Sequence, residues 1–176
     1  MINSNKKVIP NKYNINKRIA LKKMKSSNSH ISMPKLYCLH YNECDPKKCS
    51  AIKLRKFNLL KIIKGIKGHL RDSIILNPFA RVIISIDDRD LILKYGLIVI
   101  DCSWKKLVKL SELGSGNYRK LPSLIAANPI NYGKWEKLSS AEALAAALYI
   151  TQFKEYGDLI LSKFSWGIQF KELNKF

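Results

Sequence analysis

Asp101, Cys102, Ser103 and Trp104 follow directly on the apolar run GLIVI at residues 96–100. The carboxylate can hold or accept a proton, the indole can lie against a cation or a flat ring, and the hydroxyl can cap a helix. A continuous β-branched run suits a parallel strand covered on both faces, and in open α/β sheets ligands bind at the carboxyl ends of such strands. These four residues mark the first candidate site. The plain alternative is a strand running into a helix whose N-cap is Ser103.

A second stretch, CDPKKCSAIKLRK at residues 44–56, joins a helix start to a dense basic run. Asp45-Pro46 sets a turn, and Ser50 offers a hydroxyl near a helix N-terminus, where an anion is favoured. Lys47, Lys48, Lys53, Arg55 and Lys56 make a positive surface, with a solvated helix face as the plain alternative. His40 with Cys38, Cys44 and Cys49 could gather around zinc, but C-x5-C and C-x4-C are not the usual knuckle spacings, so no metal is expected. GSG at 114–116 lacks both the Walker lysine and the dinucleotide spacing, which argues against nucleotide hydrolysis or a Rossmann cofactor site.

These residues need elements to hold them. Strands are predicted over LYCLHY (36–41), in SIILNPFA (73–80) as a short strand ending at Asn77 and Pro78, and over GLIVID (96–101), with RVIIS (81–85) a further candidate. Helical spacing of Ile52, Phe57, Leu60 and Ile63 predicts one helix after CDPKKCS. DDRDLILKYG predicts a second, ended by Gly96, and WKKLVKL a third. LSSAEALAAALYITQF carries an N-cap at Ser139 or Ser140 with Glu142 in the first turn, and is apolar on nearly all sides, so it packs close to something. A further helix and a tail with Trp166 and Phe170 follow. Strands alternating with helices argue for a parallel α/β sheet. The loops CDPKKCS, LNPF and DCSW then share one edge, where LPSLIAANPINYG (121–133) could close a pocket.

Lys and Arg number 32 against 13 acidic residues in 176, a net charge of +19, which points to a polyanionic partner, nucleic acid before membrane. Residues 1–35 hold no acid and are expected to form a basic flexible arm. No apolar run reaches the roughly 18–20 residues of a membrane span, no secretory signal is visible, and a secreted disulfide scaffold is not expected. The protein is expected to be cytoplasmic, or nuclear if eukaryotic.

CDPKKCSAIKL, LNPFA, GLIVIDCSW, RKLPSLIAANPINYGKWEKLSSAEALAAALYI and FSWGIQFKELN, in this order over about residues 36–174, resemble the small-subunit rRNA aminocarboxypropyltransferase family of ribosome biogenesis. The resemblance implies an α/β fold: a parallel-sheet, SPOUT-like N-terminal part (36–123) with a trefoil knot, then an all-helical C-terminal part (124–176) that completes the pocket of a monomer. It implies transfer of the 3-amino-3-carboxypropyl group of S-adenosylmethionine to N3 of a uridine, typically an N1-methylpseudouridine, in small-subunit rRNA. A SPOUT-class RNA methyltransferase and a non-catalytic basic assembly factor are the alternatives.

By the same resemblance, the cofactor meets the Ser50 hydroxyl, Leu76, Pro78, Trp104, Leu121 and Leu124, with Ser139 and Ala143 on the helix wall. Ser50-Ala51 stands where the family usually has Thr-Gly or Thr-Ala, and serine keeps the hydroxyl. Trp104 would contact the sulfonium and screen its methyl group. Asp101 is the candidate base for the N3 proton, with orienting RNA or holding a loop as its other role. Lys48, Lys53, Lys56 and Arg119 are the candidate RNA contacts.

Overall fold

The computed structural model of the chain describes residues 33–102 and 116–176, and from Met33 onward they form one compact unit. The expected arm, apart from residues 33–35, lies outside the described residues, as do Ser103, Trp104 and the helix expected over WKKLVKL.

Five strands among the described residues make one sheet: β1 (Leu36–His40), β2 (Lys61–Ile63), β3 (Ile74–Leu76), β4 (Leu97–Asp101) and β5 (Asn117–Arg119). Their order is β2-β1-β4-β3-β5 and every pairing is parallel. The two faces separate by the period of two. Leu36 and Cys38 of β1 and Leu97 and Val99 of β4 belong to one apolar cluster, while Tyr37, Leu39 and Ile98 belong to another. Both faces are therefore covered, which is why the central strands read as unbroken apolar runs.

The first cluster is closed by α1 (Ser50–Lys56), α2 (Arg89–Tyr95), α3 (Ser140–Ile150), α4 (Lys154–Leu161) and α5 (Gly167–Leu173). The helix α3 begins with a capping box between Ser139 and Glu142 and buries Leu144 through Leu148 completely, which its run of alanines makes possible by letting neighbouring backbones approach. The second cluster is smaller and is covered by Leu70 from a 3-10 turn over Gly68–Asp72, with Ile66 and Tyr118 beside it. Gly96 ends α2 at φ +101°, and a Cβ there would stand 2.6 Å from the Lys35 carbonyl oxygen, so only glycine allows β4 to start directly after the helix.

Several expectations are corrected. The helix after CDPKKCS stops at Lys56, so Leu60 and Ile63 fall outside it and Ile63 belongs to β2. RVIIS is not a strand; only Ile83 makes an isolated bridge, to Lys120. The part from residue 124 is not all-helical: Ile125 bridges Trp135 in antiparallel sense, and turns fill the sequence up to α3. Pro129, the positive φ of Gly133 (75°) and that of Glu136 (59°) account for this, because none of them continues a helix. The SPOUT-like trefoil knot rested on the resemblance alone. What the described residues give is a five-strand parallel α/β sheet with helices, and the knot is dropped from the fold.

Candidate active site

The carboxyl ends of β1, β3 and β4 and the chain after β5 open into one cavity of about 1010 Å³, at the upper end of the roughly 300–1,000 Å³ usual for ligand pockets. Three of its walls are the loops expected to share an edge, with Ser50, Pro78 and Asp101 among their lining residues. Leu121 and the turn 128–131 close it from the β5 side, Ser139 and Ala143 from α3, and Phe164 and Trp166 from the stretch between α4 and α5. Lys47, Lys48, Lys53 and Lys120 also line it, so its field favours a ligand with anionic groups.

Polar contacts fix these walls to one another. The Ser50 hydroxyl accepts the Ala141 N–H at 3.1 Å, joining the start of α1 to the start of α3. Glu142, fully buried, accepts the N–H groups of Ala127 (2.7 Å) and Asn128 (2.9 Å) on Oε1. On Oε2 it accepts the Asn128 side-chain amide and the Ser139 N–H, both at 2.7 Å. The segment that closes the pocket is thus anchored on the first turn of α3.

Asp101 ends β4 opposite His40 at the end of β1. The pleat that sends Val99 and Cys38 to the helix-covered face sends these two the same way, toward Cys49 and Ser140 at the starts of α1 and α3. Asp101 Oδ2 accepts from Ser140 Oγ and from Cys49 Sγ, each at 3.2 Å, and lies 3.8 Å from His40 Nε2. Cys49 also caps α1, its sulfur accepting the Ile52 N–H. Burial, with the neighbouring Cys44 and the Asp101 carboxylate, pushes the Cys49 thiol up to about 12, and burial raises the Cys38 thiol as well.

Not every expected residue comes to the cavity. Ser50, Leu76, Pro78, Asp101, Leu121, Ser139, Ala143, Lys48 and Lys53 line it. Leu124 is packed in the core at 7% exposure, and Lys56 is an exposed residue at the end of α1 that does not line the cavity. Trp104 is outside the described residues. The Arg119 side chain is held by Asp88: Nε reaches both carboxylate oxygens at 2.9 and 3.1 Å and Nη2 reaches Oδ1 at 2.9 Å. The Asp88 side chain is only 5% exposed. Arg119→Ala is therefore expected to lower the unfolding free energy by about 3 kcal/mol, because it leaves a buried carboxylate unpaired. Urea denaturation reads this directly, and a loss below about 1 kcal/mol would mean that the pair holds nothing together.

Sequence reasoning placed Asn128 only within the segment 121–133 that could close the pocket, and did not select Phe164 or Trp166 for it. The only signals were NP at 128–129 and an aromatic pair in FSW, both of which read equally well as a turn and as core.

Comparison with known proteins bears on this site. Residues 74–176 match the family profile "Ribosome biogenesis protein, C-terminal", and residues 34–64 match "Possible Fer4-like domain in RNase L inhibitor, RLI". A 16S rRNA aminocarboxypropyltransferase of Methanosphaera stadtmanae is 47% identical over 145 residues, covering 81% of this chain and 85% of that protein. One of Methanothermobacter thermautotrophicus is 44% identical over 143 residues, covering 80% and 85%. The solved structure of the SAM-dependent rRNA:acp-transferase Tsr3 from Vulcanisaeta distributa matches with a TM-score of 0.76 at 39% identity, over 81% of this chain and 79% of that one. Identity of this order over four-fifths of both partners leaves one assignment: the chain belongs to the 16S rRNA aminocarboxypropyltransferase family.

Proposed function

We propose that this chain transfers the 3-amino-3-carboxypropyl group of S-adenosylmethionine to N3 of a uridine, an N1-methylpseudouridine in the finer reading, in small-subunit rRNA. The observation that carries the proposal is the cavity at the carboxyl ends of the strands, walled by the same loops that carry the family likeness. Its volume suits S-adenosylmethionine, and its lysines suit the ligand's carboxylate and the phosphates of RNA.

The cofactor is assigned to Ser50, Leu76, Pro78, Leu121, Ser139 and Ala143, which line the cavity, with apolar loops against the adenine and backbone groups reading its edge. Lys48 and Lys53 on the cavity wall and the exposed Lys56 remain the proposed RNA contacts, while Arg119, held by Asp88, is withdrawn from them. The sulfonium has three electrophilic carbons, of which the methyl is the least hindered, so the enzyme must turn the methyl away and present the γ-carbon of the amino acid chain. Trp104 is assigned that screening. In the transfer, the N3 proton passes to Asp101, the N3 electron pair forms the N–C bond at the γ-carbon, and the C–S bond breaks with its pair going to sulfur. The sulfonium leaves as neutral 5′-methylthioadenosine. Nothing in this sequence of bonds calls on a metal, and its acceleration comes chiefly from orientation. Because this chain alone supplies the cavity walls, we read the working unit as a monomer.

The test is incubation of the purified chain and small-subunit rRNA with S-adenosylmethionine carrying carbon-14 in its carboxyl group. Label in the RNA is expected, since only aminocarboxypropyl transfer moves that carbon. Bound cofactor with a labelled methyl group in RNA instead would replace this reading by methyl transfer. No cofactor binding at all would leave an assembly factor.

A further inference from the structure

One cluster at the pocket's edge joins Asp101 to three donors, His40, Cys44 and Cys49, that the transfer reaction does not use. His40 Nε2, Cys44 Sγ, Cys49 Sγ and a carboxylate oxygen of Asp101 all lie within 4.8 Å of one another. The two sulfurs stand 3.4 and 3.5 Å from Nε2, and Asp101 Oδ2 stands 3.2 Å from Cys49 Sγ and 3.8 Å from Nε2. A tetrahedral zinc ion binds sulfur, nitrogen and oxygen at about 2.0–2.3 Å, which places neighbouring donors roughly 3.3–3.8 Å apart. These four of the six donor separations fall in or next to that range before any ion has drawn them together, and the other two are no longer than 4.8 Å. We propose that His40, Cys44, Cys49 and Asp101 form a mononuclear tetrahedral site for a borderline-soft divalent cation, zinc foremost.

The donor set is two thiolates, an imidazole and a carboxylate, which suits zinc and disfavours the hard cations magnesium and calcium. His40 Nδ1 lies 3.0 Å from both the Asn42 N–H, which donates to it, and Asn42 Oδ1; metal binding requires the tautomer in which Nδ1–H donates to Oδ1 instead, leaving the lone pair of Nε2 to the cluster. An iron–sulfur cluster, which the Fer4-like match at residues 34–64 would suggest, does not fit. Such clusters are held by thiolates spread around a core of several atoms, whereas here only two thiols join the group and all four donors close on one point. On binding, the two thiols give their protons to solvent, so affinity rises with pH. The ion would tie β1, the loop before α1 and the end of β4 into one unit. It would hold Asp101 through Oδ2, the oxygen that makes every contact given above, and leave Oδ1 to the pocket.

The test titrates the full chain, first freed of metal with a chelator, with Co2+ alone, then with Zn2+. The expected result is uptake of about one Co2+ per chain, with the strong visible bands of four-coordinate cobalt, a thiolate-to-cobalt charge-transfer band, and displacement of both by Zn2+. Cys44→Ser should weaken Co2+ by at least about tenfold and reduce the charge-transfer band, and Asp101→Asn should weaken Co2+ while keeping that band. A wild-type chain showing only the weak spectrum of six-coordinate cobalt would overturn the proposal, as would a Cys44→Ser/Cys49→Ser chain binding as tightly as wild type. Cofactor binding, measured on the same samples, reports on the transferase reading separately.

Discussion

Glu142→Ala is expected to lower the unfolding free energy by about 5 kcal/mol or more, a large share of the roughly 5–15 kcal/mol that holds a domain together. Four donors converge on this fully buried carboxylate: the N–H groups of Ala127, Asn128 and Ser139 and the side-chain amide of Asn128. Truncation orphans them together, and each unsatisfied buried donor costs about 1–3 kcal/mol. The capping box at the start of α3 is lost in the same step. Glu142→Gln keeps the shape but turns an NH2 group toward N–H donors, so it should recover only part of the loss. Because Glu142 also carries the 127–131 segment that closes the cavity, the folded fraction of either variant should bind S-adenosylmethionine less tightly. Urea denaturation and equilibrium binding separate the two effects. A loss below about 2 kcal/mol for the alanine variant would remove Glu142 as the anchor.

The role of Glu142 also shows where sequence reading stops. Its place three residues after Ser139 identifies it as a capping acid, and the structure agrees. Its grip on residues 127 and 128 is a tertiary contact that no spacing announces. The central sheet was legible because β1 and β4 are continuous apolar runs, and Asp101 was legible as the polar residue ending one of them. The strands β2 and β5 were not, since Lys61–Ile63 and Asn117–Arg119 are three residues each, too short to show any period and, in the first case, in phase with the preceding helix.

The donor cluster failed for a related reason. Judged by spacing, the cysteines do not form a knuckle, yet sheet register sets Asp101 beside His40 and the turn before α1 swings Cys44 and Cys49 onto them. Two of the four donors come together through strand pairing rather than through proximity in sequence. The knot, which no periodicity suggested, entered with the family likeness alone and finds no support among the described residues.

Asp101→Asn should reduce turnover by about 10²–10⁴-fold while S-adenosylmethionine still binds, if this carboxylate takes the N3 proton. The argument rests on the position of Asp101 on the cavity wall at the carboxyl end of β4, with Oδ2 engaged by Ser140 and Cys49. Asparagine preserves the volume and one acceptor oxygen, so the contact with Ser140 can persist. On the metal-free chain, what is removed is the ability to accept a proton. Without an acceptor, the reaction must draw on the small fraction of N3 already ionised, and that fraction grows roughly tenfold per pH unit below the pKa of N3. The rate of the variant should therefore climb with pH, and the gap to wild type should narrow in alkaline solution. A structural defect has a different signature, a loss of similar size at every pH together with weakened cofactor binding. That second pattern would take the proton away from Asp101 and leave it as a group that positions the pocket wall.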